Sequence, residues 1–214
     1  MDNNNYEPRT KKGYSFFEVT SAFQKAIRRC DEKLAMYWAI ELYESGYAKY
    51  VWKRMVIMSC EDVGLGDPYV NMIVMNLKQT YDYLVSLKER SKPEKLPFTQ
   101  AVLTLVHAKK SRYNDLAICV YWQENKHKSY PIPEYAYDMH TRRGKAMGHG
   151  IDHFYDVAAV LNNRNKMPNE DEMERLARIA DHSQEEHTEF RENISCTQKE
   201  AEELAQGDLF GRFG

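Results

Sequence analysis

A chain of 214 residues is long enough to bury a sizeable core without disulfides. Hydrophobic residues make up 43% and charged residues 29%, with 30 Lys/Arg against 32 Asp/Glu, which excludes wholesale disorder and a globally basic nucleic-acid binder. The near-neutral total hides an asymmetry: from Lys166 onward there are 6 Lys/Arg and 13 Asp/Glu, a balance of −7, so the first 165 residues carry +5.

The start, MDNNNYEPRTKKG, is polar and unlike a secretion signal, and no stretch approaches the roughly 18 consecutive apolar residues that span a membrane. Ser15 and Glu18 match a capping box, and Phe16, Val19, Phe23 and Ile27 follow at helical spacing, predicting a helix to about Arg29. Asp31 caps a second helix with an apolar face of Leu34, Trp38 and Leu42 flanked by Met36 and Ile40, ended by Gly46. A third spans about 49–62 with Trp52, Met55, Val56 and Met58, stopping before Gly64 and Gly66. Asp67-Pro68 opens a long helix through Met72, Met75, Tyr83 and Leu87. Trp38, Trp52, Met55, Met72 and Met75 are expected in the core or a subunit interface rather than around a cofactor. Helices are predicted over 98–107 and 111–122, then an ordered loop over 126–150, where Pro131, Pro133, Gly144, Gly148 and Gly150 interrupt the pattern. Residues 170–190 read as a helix with Met173, Leu176, Ile179 and Ala180 on one side, and Thr197 with Glu200 opens a short acidic helix to Gln206.

No strand pair or long repeat is found, so the predicted class is all-α. The expected organisation is a flexible start (1–13), a helical domain (14–165), an acidic helical extension (166–206) and a tail (207–214). Cys30, Cys60, Cys119 and Cys196 are far apart without a CxxC pair, which excludes zinc-ribbon and dithiol redox motifs. Reduced, buried thiols in a cytoplasmic protein are expected.

The run from Tyr37 to Pro68, YWAIELYESGYAKYVWKRMVIMSCEDVGLGDP, resembles the C-terminal domain of the bacterial RarA/MgsA family of AAA+ ATPases, which are replication-associated recombination proteins. Tyr37, Trp38, Gly46, Lys53, Arg54, Glu61, Asp62, Gly64, Asp67 and Pro68 are among the matching residues. Softer matches follow at Ala101-Val102, Lys110-Ser111 and Leu116-Ala117, then at Pro131-Ile132-Pro133 and Gly148-His149-Gly150, giving a resemblance over roughly 14–160. Arg112 and His149 depart from the family pattern. The resemblance implies a clamp-loader-like helical collar that self-associates, as a tetramer, in DNA replication or recombination. A RarA-type ATPase or single-strand-binding protein is an expected partner. The chain contains no GxxxxGK[ST] phosphate loop, so no ATP hydrolysis, catalytic residue or cofactor is expected of these residues. Glu61 and Asp62 are read as helix-end carboxylates serving the fold or an interface.

Gln206-Gly207-Asp208-Leu209-Phe210 matches the Q-x-[SD]-L-F peptide that holds sliding clamps, Gln206 and Asp208 offering polar contacts and Leu209 and Phe210 apolar anchors. The alternative is a terminal segment tucked back on the body. Arg142, Arg143 and Lys145, in the loop that also holds Lys126, Lys128 and interleaved Tyr130, Tyr135, Tyr137 and His140, are nucleic-acid contact candidates, with Lys109, Lys110 and Arg112 outside the loop extending the patch, against a simply solvated loop. His149 and His153, with Asp152, Asp156 and His140 nearby, permit a metal site on paper, the basis of a metal-dependent phosphohydrolase alternative. Otherwise no metal ligand is expected. A structural oligomerisation module without clamp or DNA contact is the second alternative.

Overall fold

The computed structural model describes residues 7–188, and its contacts divide the chain into two compact units, 1–129 and 130–214. All regular structure among the described residues is helical, apart from an isolated bridge between Arg9 and Ser15.

In the first unit α1 (Phe16–Arg28) buries Phe16, Val19, Phe23, Ala26 and Ile27, the stripe that the apolar spacing predicts. The expected capping box does not form, because the Ser15 hydroxyl donates to Glu7 instead of closing the helix. Asp31 does cap α2 (Glu32–Leu42), accepting from the Leu34 N–H at 2.9 Å. The buried face of α2 differs from the predicted one. It consists of Ala35, Ala39 and Leu42, while Leu34 and Ile40 are exposed and Trp38 is half-buried. Two alanines let α1 and α2 pack closely, which larger side chains on that face would prevent.

A turn closed by Gly46, with φ 87°, leads to α3 (Ala48–Met58), which buries Val51, Trp52, Met55 and Met58. A wide turn over 59–67 follows, in which the Asp67 carbonyl, rather than its carboxylate, receives the Val70 N–H at 3.2 Å and starts α4 (Val70–Leu87). That helix buries Val70, Val74 and Leu77, leaving Met72, Met75, Tyr83 and Leu87 exposed, so the two methionines are not core residues of this chain. Central to the unit is α5 (Lys95–His107), with Phe98, Ala101, Val102, Leu105 and Val106 buried. Phe98 meets Trp52 and Tyr43 at ring-centroid distances of 5.8 and 4.8 Å, edge-on aromatic packing that joins α3 and α5. Then α6 (Tyr113–Ala117), a wide turn (Ile118–Trp122) and α7 (Gln123–Asn125) form one helical stretch in which no residue is buried.

Residues 7–13, expected to belong to a flexible start, are held on α2. The Lys11 N–H donates to Ser45 Oγ at 2.8 Å, and the Lys12 N–H donates to Glu41 Oε1 at 3.0 Å. Glu41 is buried, which alone would raise its pKa; hydrogen bonds from the Thr10 hydroxyl and from the N–H and ammonium of Lys12 prevail and hold it below the ordinary 4.5. A carboxyl whose folded pKa lies below its unfolded one stabilises fully above the unfolded value and loses that contribution as pH falls through the folded one. Amide-exchange protection at Lys11 and Lys12 is therefore expected to hold near pH 5 and to decline below about pH 4.5, after correction for intrinsic rates. Protection that Glu41→Gln leaves untouched would show that the carboxylate does not anchor the arm.

In the second unit the predicted loop contains a single turn (Glu134–Ala136) and α8 (Arg142–Ala146), followed by α9 (Ile151–His153), which runs into a wide turn (Phe154–Ala158). The helix predicted over 170–190 is α10 (Glu170–Thr188). Its Met173, Leu176 and Ile179 are exposed, and polar contacts hold it to the preceding segment: Arg178 pairs with Asp156 at 2.7 Å, and the Tyr155 hydroxyl donates to Asp181 at 2.7 Å.

Candidate functional site

The stretch richest in recognisable residues, 59–68, is the wide turn leaving α3, and the second, 109–114, connects α5 to α6. The fold brings them together. The Ser111 N–H donates to the carbonyls of Asp62 and Val63, 3.1 Å each, and the Asn114 amide donates to the Cys60 carbonyl at 3.2 Å. Gly66 approaches the other strand of this junction so closely that a Cβ would lie 2.7 Å from the Lys109 carbonyl oxygen.

Beneath the junction lies a polar network that sequence reasoning did not find. Asp62, 1% exposed, accepts from Gln24 Nε2 at 2.9 Å and from Arg28 Nε, while Arg28 Nη2 donates to Glu61 at 2.6 Å. The Gln24 carbonyl oxygen in turn accepts from Arg54. Burial works against the Arg28 charge, yet Asp62 and Glu61 hold its pKa above the ordinary arginine value. With donors on both oxygens, Asp62 ties α1 to the end of α3, the fold-holding role expected of it. Only the paired carboxylates were visible in sequence; the partners on α1 lie more than 30 residues away. A cavity of about 480 Å³ opens beside the network, walled by Val56, Ile57, Cys60, Asn114 and Ile118.

The six nucleic-acid candidates fall in different units and have different states. In the first unit, Lys110 donates to the carbonyls of Val106 and Ala108 at 2.9 Å each and so closes the end of α5; Arg112 pairs with Asp115; Lys109 is exposed and has no side-chain partner among the described residues. In the second, Arg142 and Lys145 are exposed without such partners, and the Arg143 guanidinium lies 4.3 Å from the Tyr137 ring centroid.

His149 precedes the Gly150 cap of α9 and His153 ends that helix, and their rings stack at 3.7 Å and 13° instead of converging on a point. Among the described residues no three His, Cys, Asp or Glu side chains are placed to hold a metal ion, so His140, His149, Asp152, His153 and Asp156 do not converge as the metal-site reading requires. The expectation of buried thiols is also corrected: Cys30, Cys60 and Cys119 are free and exposed, the first two in interhelical turns and the third on the uncovered 113–125 stretch. Thr197, Glu200 and the motif residues Gln206, Asp208, Leu209 and Phe210 lie outside the described residues. No helix among the described residues is long and apolar enough to cross a membrane.

The recognisable blocks thus build one interhelical junction within an all-helical module. Residues 29–195 match the family described as MgsA AAA+ ATPase C terminal, and the chain belongs to that family. Replication-associated recombination protein A of Bacillus subtilis is 31% identical over 146 residues, covering 68% of this chain and 34% of that protein. The protein of the same name from Coxiella burnetii is 30% identical over 148 residues, 68% of this chain and 32% of that one. ATPase WRNIP1 of Dictyostelium discoideum is 30% identical over 155 residues, 69% of this chain and 17% of that protein. The chain thus spans about a third or less of these relatives' length.

Proposed function

We propose that this chain is a non-catalytic accessory factor of DNA replication or recombination that self-associates through its RarA-like collar and engages a sliding clamp through its C-terminal peptide. The observation carrying the self-association is the uncovered helical stretch 113–125. Leu116, Ile118, Val120 and Trp122 are 57%, 59%, 51% and 71% exposed, a concentration of apolar surface that monomers rarely leave open. Sedimentation equilibrium of the full chain is expected to give a multiple of 25.2 kDa, a tetramer by family resemblance; a monomer at tens of micromolar would refute self-association.

Support for clamp engagement is the peptide Gln206–Phe210, whose amide and two apolar anchors suit a shallow pocket, together with the family relationship to replication-associated proteins. A peptide spanning residues 205–214 is expected to bind a bacterial sliding clamp in fluorescence anisotropy, and Leu209→Ala with Phe210→Ala to weaken binding at least about 30-fold. Equal clamp affinity of the full-length chain and its double variant would discard the motif. In the same role the exposed cations Lys109, Arg142 and Lys145, with Arg143, contact nucleic acid.

A further inference from the structure

We propose that the loop over 130–147 is a pocket for one nucleotide unit of single-stranded nucleic acid, its base lying against Ile132 and Met147 and a phosphate on Arg143. This assignment rests on the nucleic-acid contact proposed above and gives that contact a site.

The loop is built rather than loose. Thr141 Oγ1 donates to the Asp138 carbonyl and accepts the Gly144 N–H, each at 3.0 Å. The His149 N–H donates to the Gly144 carbonyl at 3.0 Å, and the His149 ring bonds to the carbonyl of Tyr137. At Gly144 the backbone packs so tightly that a Cβ would fall 2.0 Å from the Asp138 carbonyl oxygen. These bonds fix a cavity of about 500 Å³ lined by Pro131, Ile132, Glu134, Tyr137, Arg143 and Met147, within the roughly 300–1,000 Å³ of small-ligand sites.

Arg143 is the chemically distinctive member. Its Nη1 donates to the Tyr137 hydroxyl at 2.9 Å and its guanidinium lies over that ring, so a neutral group positions it and four N–H donors have no acceptor among the described residues. Arg164, Arg175 and Arg178 of the same unit are all paired with carboxylates, whereas Arg143 has none among the described residues. An oriented, uncompensated guanidinium beside apolar walls fits a phosphate joined to a flat apolar-faced group. Glu134 on the same wall disfavours a bare inorganic anion but can accept from a base amino group. Tyr130 and Tyr135, 75% and 63% exposed on the same loop, offer stacking faces for neighbouring bases, and Arg142 and Lys145 offer charge for neighbouring phosphates.

The test is anisotropy of a fluorescein-labelled 20-nucleotide thymidine oligomer with the full chain over a salt series. Arg143→Gln is expected to weaken binding about tenfold and to reduce the slope of log affinity against log salt by about 0.7, one phosphate contact on a single strand. Tyr137→Phe keeps the ring and frees the guanidinium, so a smaller loss is expected. Photocrosslinking of the same oligomer carrying 5-iododeoxyuridine is expected to label the 130–147 peptide. Both variants are checked by circular dichroism, and the crosslink uses wild-type protein, so misfolding cannot imitate the result. If wild type binds but Arg143→Gln keeps its affinity and slope, or crosslinks fall outside the loop, the pocket is overturned while a nucleic-acid contact elsewhere survives. No binding even at low salt removes both.

Discussion

Asp62→Ala is expected to destabilise the first unit by about 3 kcal/mol, the low end of the roughly 3–5 kcal/mol for breaking a buried ion pair, because Arg28 retains Glu61. The carboxylate is 1% exposed, and its removal leaves Arg28 Nε facing a cavity without an acceptor, while the Gln24 amide keeps only its longer bond to Glu61, 3.2 Å. At about 2–4 °C per kcal/mol for a chain of this size, the thermal midpoint should fall by roughly 10 °C. Asp62→Asn keeps the volume but turns an amide NH₂ toward one of these donors, so its loss should approach that of alanine. Glu61→Ala serves as contrast: its side chain is 27% exposed, and its pair with Arg28 is partly screened, giving an expected loss within about 1 kcal/mol. A thermal midpoint unchanged in Asp62→Ala would mean that Asp62 does not hold α1 to the end of α3.

That network also marks where sequence reading stops. Helices with large apolar residues at regular spacing, such as α1 with Phe16, Val19, Phe23 and Ile27, were legible because burial follows side-chain size. The face of α2 was not, since the same criterion selects Leu34, Trp38 and Ile40, whereas the fold uses Ala35 and Ala39 to admit α1. On α4 the methionines drew attention and valines do the packing. Resemblance singled out both 59–68 and 109–114, yet periodicity carries no information about a bond from Ser111 to Asp62 across 48 intervening residues. Gln24, Arg28 and Arg54 individually look like ordinary surface residues of amphipathic helices; only the tertiary structure makes them partners.

Residues 130–165 hold 4 Lys/Arg and 4 Asp/Glu, so moving the division from Lys166 back to the unit boundary leaves the balance at +5 and −7. Net charge therefore follows the structural units: 1–129 is the basic part and 130–214 the acidic one. The proposed self-association of a +5 unit would work against its own repulsion, so the apolar contact would have to supply the attraction and added salt should strengthen it.

The 113–125 stretch gives that contact its sharpest test. Ile118→Glu combined with Trp122→Glu is expected to convert the assembly to monomer, lowering each association constant by at least about 10³, roughly 4 kcal/mol. Both side chains are exposed within one chain, 59% and 71%, so the new carboxylates remain hydrated in the monomer and its helicity and melting should be close to wild type. In an assembly that covers them, each carboxylate would lose its hydration without a cation partner, a cost of several kcal/mol per site. Lys126 and Lys128 follow on the same segment, and Lys128 is already paired with Glu124 at 2.8 Å, so intrachain relief of the added charge is small. The companion variant Gln79→Glu, at an exposed position of α4, adds negative charge elsewhere and should leave the mass unchanged. Sedimentation of the 118/122 double variant at wild-type mass would move self-association to another face, with the exposed Met72, Ile73 and Met75 of α4 the next surface to charge.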